Sequence, residues 1–416
     1  MTASLANGAC FSMILPILAP LIRQIHMSEL QAGLLVSAGA LLMSIAAIWI
    51  SKKHEFQNIY KLLSIGFVGM ALTWGVFTGV LAYGLYAHIS VGLFFILLFL
   101  ARASTGVFMA MPQIALQTYV MSQFSEEQQR SQNMAKFGAL NSMGLILGPL
   151  LTTLLLGWGI LTPLWAAIVL LSCISVYIFI QFDHSSTTTN HSTDNKISKK
   201  QNIDDPHIDK NDSLNNTLPF NKDDQSPVIR NSLIWLILGF SVYLAIVTLN
   251  LTAGFYIQDH FKMSIQQSAI YFSQCSLIVG ISLVTVQILI SKYFKWSIQR
   301  LLSIGICSML LGLVISIYTN QMIVFQLAYI LYGVSVACLI PAFTTGASQS
   351  VSQDSQAKIA GLCTATQALS FVFGPVLSTG LYQMNQQFPY IFLIVMFITL
   401  SLYFLASQYS KRSIAV

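Results

Sequence analysis

Charged side chains are scarce in this 416-residue chain. They make up 8% of it, against about 25% in soluble globular proteins. A chain so poor in charge cannot cover a water-facing surface, and its mean hydropathy is +0.70, so its solvent must be lipid. The net charge of +6 does not indicate a nucleic-acid partner, because the basic residues lie between long apolar segments.

Several kinds of site are also missing. The apolar segments contain no nucleophile–base set, no metal-ligand spacing and no phosphate-binding loop, which argues against an enzyme and predicts no cofactor. All six cysteines fall within apolar segments, where we expect free thiols packed between helices. The chain begins without a basic n-region or an Ala-x-Ala site, so we expect no cleaved signal peptide.

Twelve apolar stretches are long enough to span a bilayer, which takes about 20 residues each. They predict an all-α membrane protein, with spans near 3–25, 30–50, 62–84, 91–119, 133–157, 161–182, 232–257, 267–290, 301–319, 322–347, 359–382 and 389–409. With both termini cytoplasmic, all of the 20 Lys and Arg except Arg23, Lys262 and Arg102 lie on the cytoplasmic side. Because basic loops resist translocation, we expect that orientation.

Residues 183–230 interrupt the pattern. This segment is rich in Asn, Asp, Ser, Thr and Lys and has few aliphatic side chains, so it cannot bury a core. It is predicted to be a disordered cytoplasmic linker between two six-helix bundles, at 1–182 and 231–416.

The two bundles repeat each other in sequence at three places. A duplicated bundle of membrane helices is typical of transporters whose halves rock about a site between them. The matching pairs, in chain order, are Met27-Ser28-x-x-Gln31 with Met263-Ser264-x-x-Gln267, Lys61 to Gly66 with Arg300 to Gly305, and Gly148-Pro149-Leu150-Leu151-Thr152-Thr153 with Gly374-Pro375-Val376-Leu377-Ser378-Thr379.

The layout of six plus six spans resembles the major facilitator superfamily. The fourth span carries Arg102, Gly106 and Pro112, similar to an Arg-Gly-Pro motif of that family. The fifth carries Gly144, Gly148 and Pro149, similar to the glycine-rich motif of its drug:proton antiporter branch, although Thr152 and Thr153 replace that motif's last two glycines. Small residues let helices approach closely, and a proline bends them, so we expect these positions and Gly374-Pro375 to serve helix packing.

The loop after the second span departs from the family. Members carry an aspartate there that helps to latch the cytoplasmic side, whereas this chain reads Lys52-Lys53-His54-Glu55. Glu55 is the only acid there that could substitute for that aspartate. The second copy of the loop, residues 291–295, has no acid. The resemblance therefore implies transport, but not this latch.

Arg102 is the only charge placed well inside a span. A buried arginine costs about 2.5–3.5 kcal/mol on insertion scales, so we expect it to face the bundle interior, either as a substrate anchor or proton-coupling residue or as an internal strut. No span holds an acid in its interior, and a cation exporter needs one. A cavity with one arginine and no acid favours an anionic or neutral polar solute.

Neutral polar side chains are the remaining candidates to line the cavity. They either contact substrate or bond to neighbouring helices. They are Gln113, Gln117 and Asn141 in the first bundle and Asn250, Gln274, Thr364 and Gln367 in the second.

Arg23 and Asp259 are a candidate gate. The offset of the repeat maps Arg23 onto Asp259, opposite charges at the external ends of spans 1 and 7. In the superfamily these two helices face each other, so we predict an ion pair that breaks on opening outward. The alternative is two unrelated charges at the level of the lipid headgroups.

The sequence and the resemblance together predict a monomeric secondary transporter in a bacterial-type inner membrane, contacting lipid and a small-molecule substrate. The expected activity is export of a polar or anionic solute, such as a carboxylate-type siderophore, driven by the proton gradient. Alternatives are a multidrug efflux pump, a metabolite importer or facilitator, and a membrane receptor or scaffold that keeps the fold without transport.

Overall fold

The computed structural model describes residues 2–52, 59–86, 90–122, 144, 147–181, 226–293, 296–352 and 356–413. These residues fold into helices joined by short turns. The helices are α1 Thr2–Met13, α2 Leu15–Gln24, α3 Glu29–Lys52, α4 Ile59–Tyr86, α5 Val91–Ser122, α6 Leu147–Trp158, α7 Thr162–Gln181, α8 Ser226–Phe261, α9 Ile265–Lys292, α10 Ile298–Tyr318, α11 Met322–Gln349, α12 Gln356–Met384 and α13 Phe388–Ser413.

The architecture is the twelve-helix bundle that the sequence predicts. Within the described residues, ten helices are each long and apolar enough to cross a membrane. The first span is divided into α1 and α2, and α6 is the described end of the fifth. Most of the predicted linker, residues 183–225, lies outside the described residues, whereas residues 226–230 belong to α8, which begins at Ser226.

The first span is divided at Ile14 because of Pro16, in the first turn of α2. Pro16 has no N–H to donate to the Ser12 carbonyl, so the regular helical ladder is interrupted there. Ile17 donates its N–H to the Ile14 carbonyl instead of to that of Met13. The hydroxyl of Thr152 donates to the Met13 carbonyl at 3.1 Å. One of the two threonines that replace family glycines therefore stabilises the break in the first span.

The first repeated motif is a helix start in both bundles. Ser28 and Gln31 exchange side-chain-to-backbone hydrogen bonds of 2.9 and 3.3 Å at the start of α3. Ser264 and Gln267 exchange the same two bonds, of 3.2 and 3.3 Å, at the start of α9. This reciprocal capping satisfies backbone N–H groups that a helix start leaves free. The repeat therefore fixes two equivalent turns, one in each half.

The turns before these caps are also equivalent. His26 and Lys262 have φ angles of 57° and 55°, and among the described residues they are the only non-glycine residues with positive φ. Both side chains are exposed. The pseudo-twofold relation between the halves therefore extends to individual backbone angles.

The second repeat marks close helix contacts. Gly66 of α4 lies against Pro112 and Met111 of α5. Gly305 of α10 lies against Leu339 and Cys338 of α11. At both sites a Cβ would overlap the facing side chain, so the glycine lets two neighbouring helices pack closely in each half.

The glycines of the fourth and fifth spans pack in the same way, as the sequence predicts. Gly106 lies against the backbone of Gly39, so α5 approaches α3 closely. Gly144 and Gly148 lie against the backbone of α1 at Leu5 and Ala9. With Thr152 one turn later, these residues form the face on which the divided first span packs.

The two halves meet through few elements. The second piece of the first span, α2, packs against α8 and α9, whereas the first piece, α1, packs against α7 of its own half. Between the halves α3 also packs against α12. The segment after the break in the first span is therefore the part that reaches the other half.

Candidate functional site

An ion pair joins the two halves at the end of the bundle that carries the turns at His26 and Lys262. Arg23, in the last turn of α2, donates two hydrogen bonds to the Asp259 carboxylate of α8, at 2.6 and 2.7 Å. The side chains are 22% and 36% exposed. A bidentate arginine–carboxylate ion pair is among the stronger polar contacts in proteins. The predicted pairing is present, and its opening during transport stays a prediction.

Neighbouring side chains hold both partners in place. The Tyr382 hydroxyl of α12 donates to the Asp259 carboxylate at 2.6 Å, and Arg23 donates to the Gln258 amide oxygen at 3.2 Å. The Gln258 amide nitrogen donates to the Ser268 hydroxyl at 2.9 Å. Asp259 is therefore fixed from within its own half as well as from across the interface.

Arg23 has a second carboxylate partner in its own half. It donates to Glu29, at the start of α3, at 2.7 Å. Glu29 and Asp259 thus share one guanidinium, with one carboxylate in each half. If the halves separate, Arg23 keeps Glu29 and Asp259 keeps Tyr382, so neither charge is left without a polar partner. That arrangement lowers the cost of opening, because an unpaired half-buried charge is expensive.

A second polar contact between the halves involves the other threonine that replaces a family glycine. The hydroxyls of Thr153 on α6 and Ser273 on α9 lie 2.6 Å apart. Nearby, the Gln266 side chain donates to the Leu156 carbonyl at 3.2 Å. The departure from the family motif therefore supplies a hydrogen bond to the opposite half.

The third repeat places its two copies at related interfaces. Thr153 donates to the Pro149 carbonyl at 2.9 Å, and Thr379 donates to that of Pro375 at 2.7 Å. Thr153 contacts Ser273 across the interface, whereas Thr379 and Pro375 lie against Gly33 of α3. Each Gly-Pro copy therefore sits where one half touches the other.

Gly33 offers a mutational test of this contact. A Cβ there would overlap the Thr379 hydroxyl and lie 2.6 Å from the Pro375 carbonyl oxygen. We expect Gly33→Ala to force α3 and α12 apart and to lower the thermal unfolding midpoint of the purified protein by several degrees. The control is Gly75→Ala, because a Cβ at Gly75 meets no atom within 4 Å. Equal midpoints for the two variants would contradict the contact.

Arg102 lies inside the N-terminal half. It is 7% exposed, and its guanidinium carbon lies 6.0 Å from the ring centre of Trp74 on α4. A Cβ on Gly39 of α3 would be 3.5 Å from its Nε. No carboxylate of the described residues is within ion-pair distance of it. Its described contacts are with α3 and α4, so contact with a solute between the halves stays a prediction.

Two of the predicted neutral cavity residues make hydrogen bonds within the C-terminal half. Gln274 accepts a hydrogen bond from Gln326 at 2.7 Å, and Asn250 donates to the Ile246 carbonyl of its own helix. Gln113 and Gln367 are half-buried, and Thr364 is exposed. The side chain of Gln117 and all of Asn141 lie outside the described residues. Their contact with substrate stays a prediction.

Sequence reasoning missed several residues of the interface. Tyr382, Gln258, Thr153 and Ser273 are polar residues within apolar spans, and no spacing rule relates them. Glu29 carried a signal, since it lies one turn and a loop after Arg23 and carries the opposite charge.

Comparison with known proteins identifies the fold. The sequence profile of the Major Facilitator Superfamily matches residues 1–375. No curated protein matches the sequence. Among solved structures, the nucleoside transporter NupG is similar with a TM-score of 0.69 and 13% identity, covering 97% of each chain.

Two other structures are similar to the same degree. A bacterial homologue of the human lysosomal transporter Spinster, in an inward-facing and occupied conformation, has a TM-score of 0.66 and 13% identity, covering 98% of this chain and 95% of its own. A POT family transporter in complex with 5-aminolevulinic acid has a TM-score of 0.68 and 13% identity, covering 97% and 94%. At such low identity these similarities establish the fold alone.

Proposed function

Because this chain belongs to the Major Facilitator Superfamily and is a membrane transporter rather than an enzyme, we propose that it exports a small polar or anionic organic solute by alternating access. Proton exchange would drive the cycle, in a bacterial inner membrane, with both termini cytoplasmic. A carboxylate-type siderophore is one solute of the required chemistry.

The observation that carries alternating access is the Arg23–Asp259 ion pair between the halves. The pair links α2 of one half to α8 of the other, and it lies at one end of these two spans. Each partner has a further polar contact within its own half. A contact with these properties can break and re-form as the halves rock. In the proposed orientation this end is the external one, and the ion pair closes it.

The chemistry of the solute is inferred from charge. The spans have no acid in their interiors, and Arg102 is the one basic residue deep within them. Organic cations need a carboxylate to pair with inside the membrane, which disfavours a multidrug pump for cations. An anionic group, or a neutral group that accepts hydrogen bonds, fits this electrostatic background better.

The proposal is tested first by identifying the solute. Culture medium from cells with and without the gene is compared by untargeted metabolite analysis, and an exported solute is enriched only when the gene is present. Depletion of a solute from the medium would instead support the importer alternative, and altered susceptibility to cationic dyes would support the multidrug alternative.

Arg102 is then tested with the identified solute. We expect Arg102→Ala to reduce export of an anionic solute by at least tenfold, because a hydrogen bond to a charged partner is worth about 1.5–3 kcal/mol. Arg102→Lys keeps the charge and should retain part of the activity. Protein level in the membrane is measured for each variant. Unchanged export by a well-expressed Arg102→Ala protein would contradict the assignment.

A further inference from the structure

Several side chains buried in the N-terminal half have no hydrogen-bond partner among the described residues, and two of them, Trp74 and Thr78, lie on the helix that faces Arg102. Arg102 is 7% exposed, and the only described partner of its guanidinium is the face of the Trp74 ring. Trp74 is 2% exposed and Thr78 is fully buried. Neither the indole N–H of Trp74 nor the hydroxyl of Thr78 has a hydrogen-bond partner within the described structure.

The three donors lie at similar depth between α3, α4 and α5. Helix α4 ends at Tyr86 and α5 begins at Val91, at the same end of the bundle. A rise of 1.5 Å per residue places Thr78, Arg102 and Trp74 about 12, 16 and 18 Å from that end. Trp74 and Thr78 are four residues apart and share one face of α4. The described contacts of Arg102 are with α3 and with that face.

The chemistry of the cluster calls for an acceptor. Guanidinium and indole N–H groups can only donate, and a buried positive charge without a partner is costly. On the α3 side, Gly39 has no side chain to offer, and a Cβ there would stand 3.5 Å from Nε of Arg102. No described carboxylate pairs with Arg102, and an acceptor that carries a negative charge would satisfy both the charge and the N–H groups of its guanidinium.

We propose that Arg102, Trp74 and Thr78 form a binding site for one small monovalent anion inside the N-terminal half. A chloride ion and the carboxylate of a solute both present this chemistry. The carboxylate case rests on the proposed function, whereas the chloride case is independent of it. In either case the anion neutralises the one charge buried deep within the spans.

The test measures the thermal unfolding midpoint of the purified full-length protein in lipid nanodiscs. Chloride or formate is titrated against gluconate at constant ionic strength, so that charge screening stays the same. Gluconate is a much larger anion than chloride or formate and serves as the reference. A bound anion stabilises the folded state in proportion to its occupancy, so we expect a saturable rise of the midpoint.

The variants locate the effect. Trp74→Phe keeps the ring and removes only the N–H, and we expect it to raise the half-saturating anion concentration about tenfold, as the loss of one hydrogen bond to a charged group predicts. Arg102→Gln should abolish the rise. Ser64→Ala is the matched control, because Ser64 is also buried and unpartnered on α4 but lies about 15 Å along the helix from Trp74.

Each result decides the proposal. A rise with chloride identifies a free inorganic anion. A rise with formate and not chloride, competed by the exported solute, identifies a carboxylate. The same midpoint in all three salts overturns the site, and so does an equal change in Ser64→Ala and Trp74→Phe. If Arg102→Gln fails to fold, Trp74→Phe still decides. The assay requires no transport, so failure of the export proposal and failure of this site are separate results.

Discussion

Oxidation of a cysteine pair introduced by Thr153→Cys and Ser273→Cys is expected to stop transport completely, and a reducing agent is expected to restore it. The two hydroxyl oxygens lie 2.6 Å apart, on α6 and α9 of opposite halves. Cysteine sulfur atoms at these two positions would be close enough to form a disulfide bond. A covalent bond there prevents the halves from separating, which alternating access requires. The measurement is the transport rate of the identified solute before and after oxidation.

The control pair is Thr152→Cys with Ser273→Cys. Thr152 is adjacent in sequence, but its hydroxyl donates to the Met13 carbonyl within its own half, so this pair should neither cross-link nor lose activity on oxidation. Full transport by a quantitatively cross-linked protein at 153 and 273 would show that this interface does not move.

Asp259→Asn and Arg23→Gln are each expected to reduce transport at least tenfold, and the double exchange Arg23→Asp with Asp259→Arg is expected to recover part of it. Each single change removes a two-pronged contact between the halves, and a change of 1.4 kcal/mol shifts the balance between two states about tenfold. Recovery is partial, because Glu29 then faces an aspartate, and Tyr382 loses its carboxylate acceptor.

Tyr382→Phe provides the matched control for the same ion pair. It removes one hydrogen bond to Asp259 but leaves the bond between the halves intact, so its effect on transport should be smaller than that of Asp259→Asn. Two results together would contradict a gating role. The double exchange would recover no transport, and neither single variant would lose more transport than Tyr382→Phe loses.

The internal repeats of the sequence predicted more of the structure than its composition did. The repeated Met-Ser-x-x-Gln is a reciprocal helix cap in both halves, and the offset between the copies predicts the pairing of Arg23 with Asp259 that the structure contains. Repeats of this kind are informative because a duplicated bundle keeps the local interactions that shape each copy. The glycines of the packing motifs are predictable for the same reason, because each one acts locally by allowing one close contact between helices.

The lining of the site could not be predicted in the same way. The sequence does not predict that the amide of Gln274, a predicted substrate contact, pairs with Gln326, which lies on another helix of the same half. No sequence pattern points to Tyr382, although its hydroxyl donates to the Asp259 carboxylate. A polar side chain in an apolar span forms hydrogen bonds with whichever polar group faces it on the neighbouring helix. The rotation of each helix about its own axis determines which group that is. Sequence spacing fixes the face of one helix, not the partner on the next.

Thr152 and Thr153 show how a departure from a family motif can be informative. As replacements of glycine they weaken the resemblance to the drug:proton antiporter branch. In the structure Thr152 stabilises the break in the first span and Thr153 contacts the opposite half. The segment that keeps close packing through Gly144 and Gly148 thus adds polar contacts at its far end.

The distance between spin labels at positions 26 and 262 tests the central claim most directly. His26 and Lys262 are exposed, equivalent turn residues beside the Arg23–Asp259 pair, and labels on His26→Cys and Lys262→Cys in a background without native cysteines report the separation of the halves at that end. We predict a short and a long distance in the wild-type gate, with the long one more populated after Asp259→Asn. A single short distance, unchanged by Asp259→Asn and by the transported solute, would contradict opening at this end.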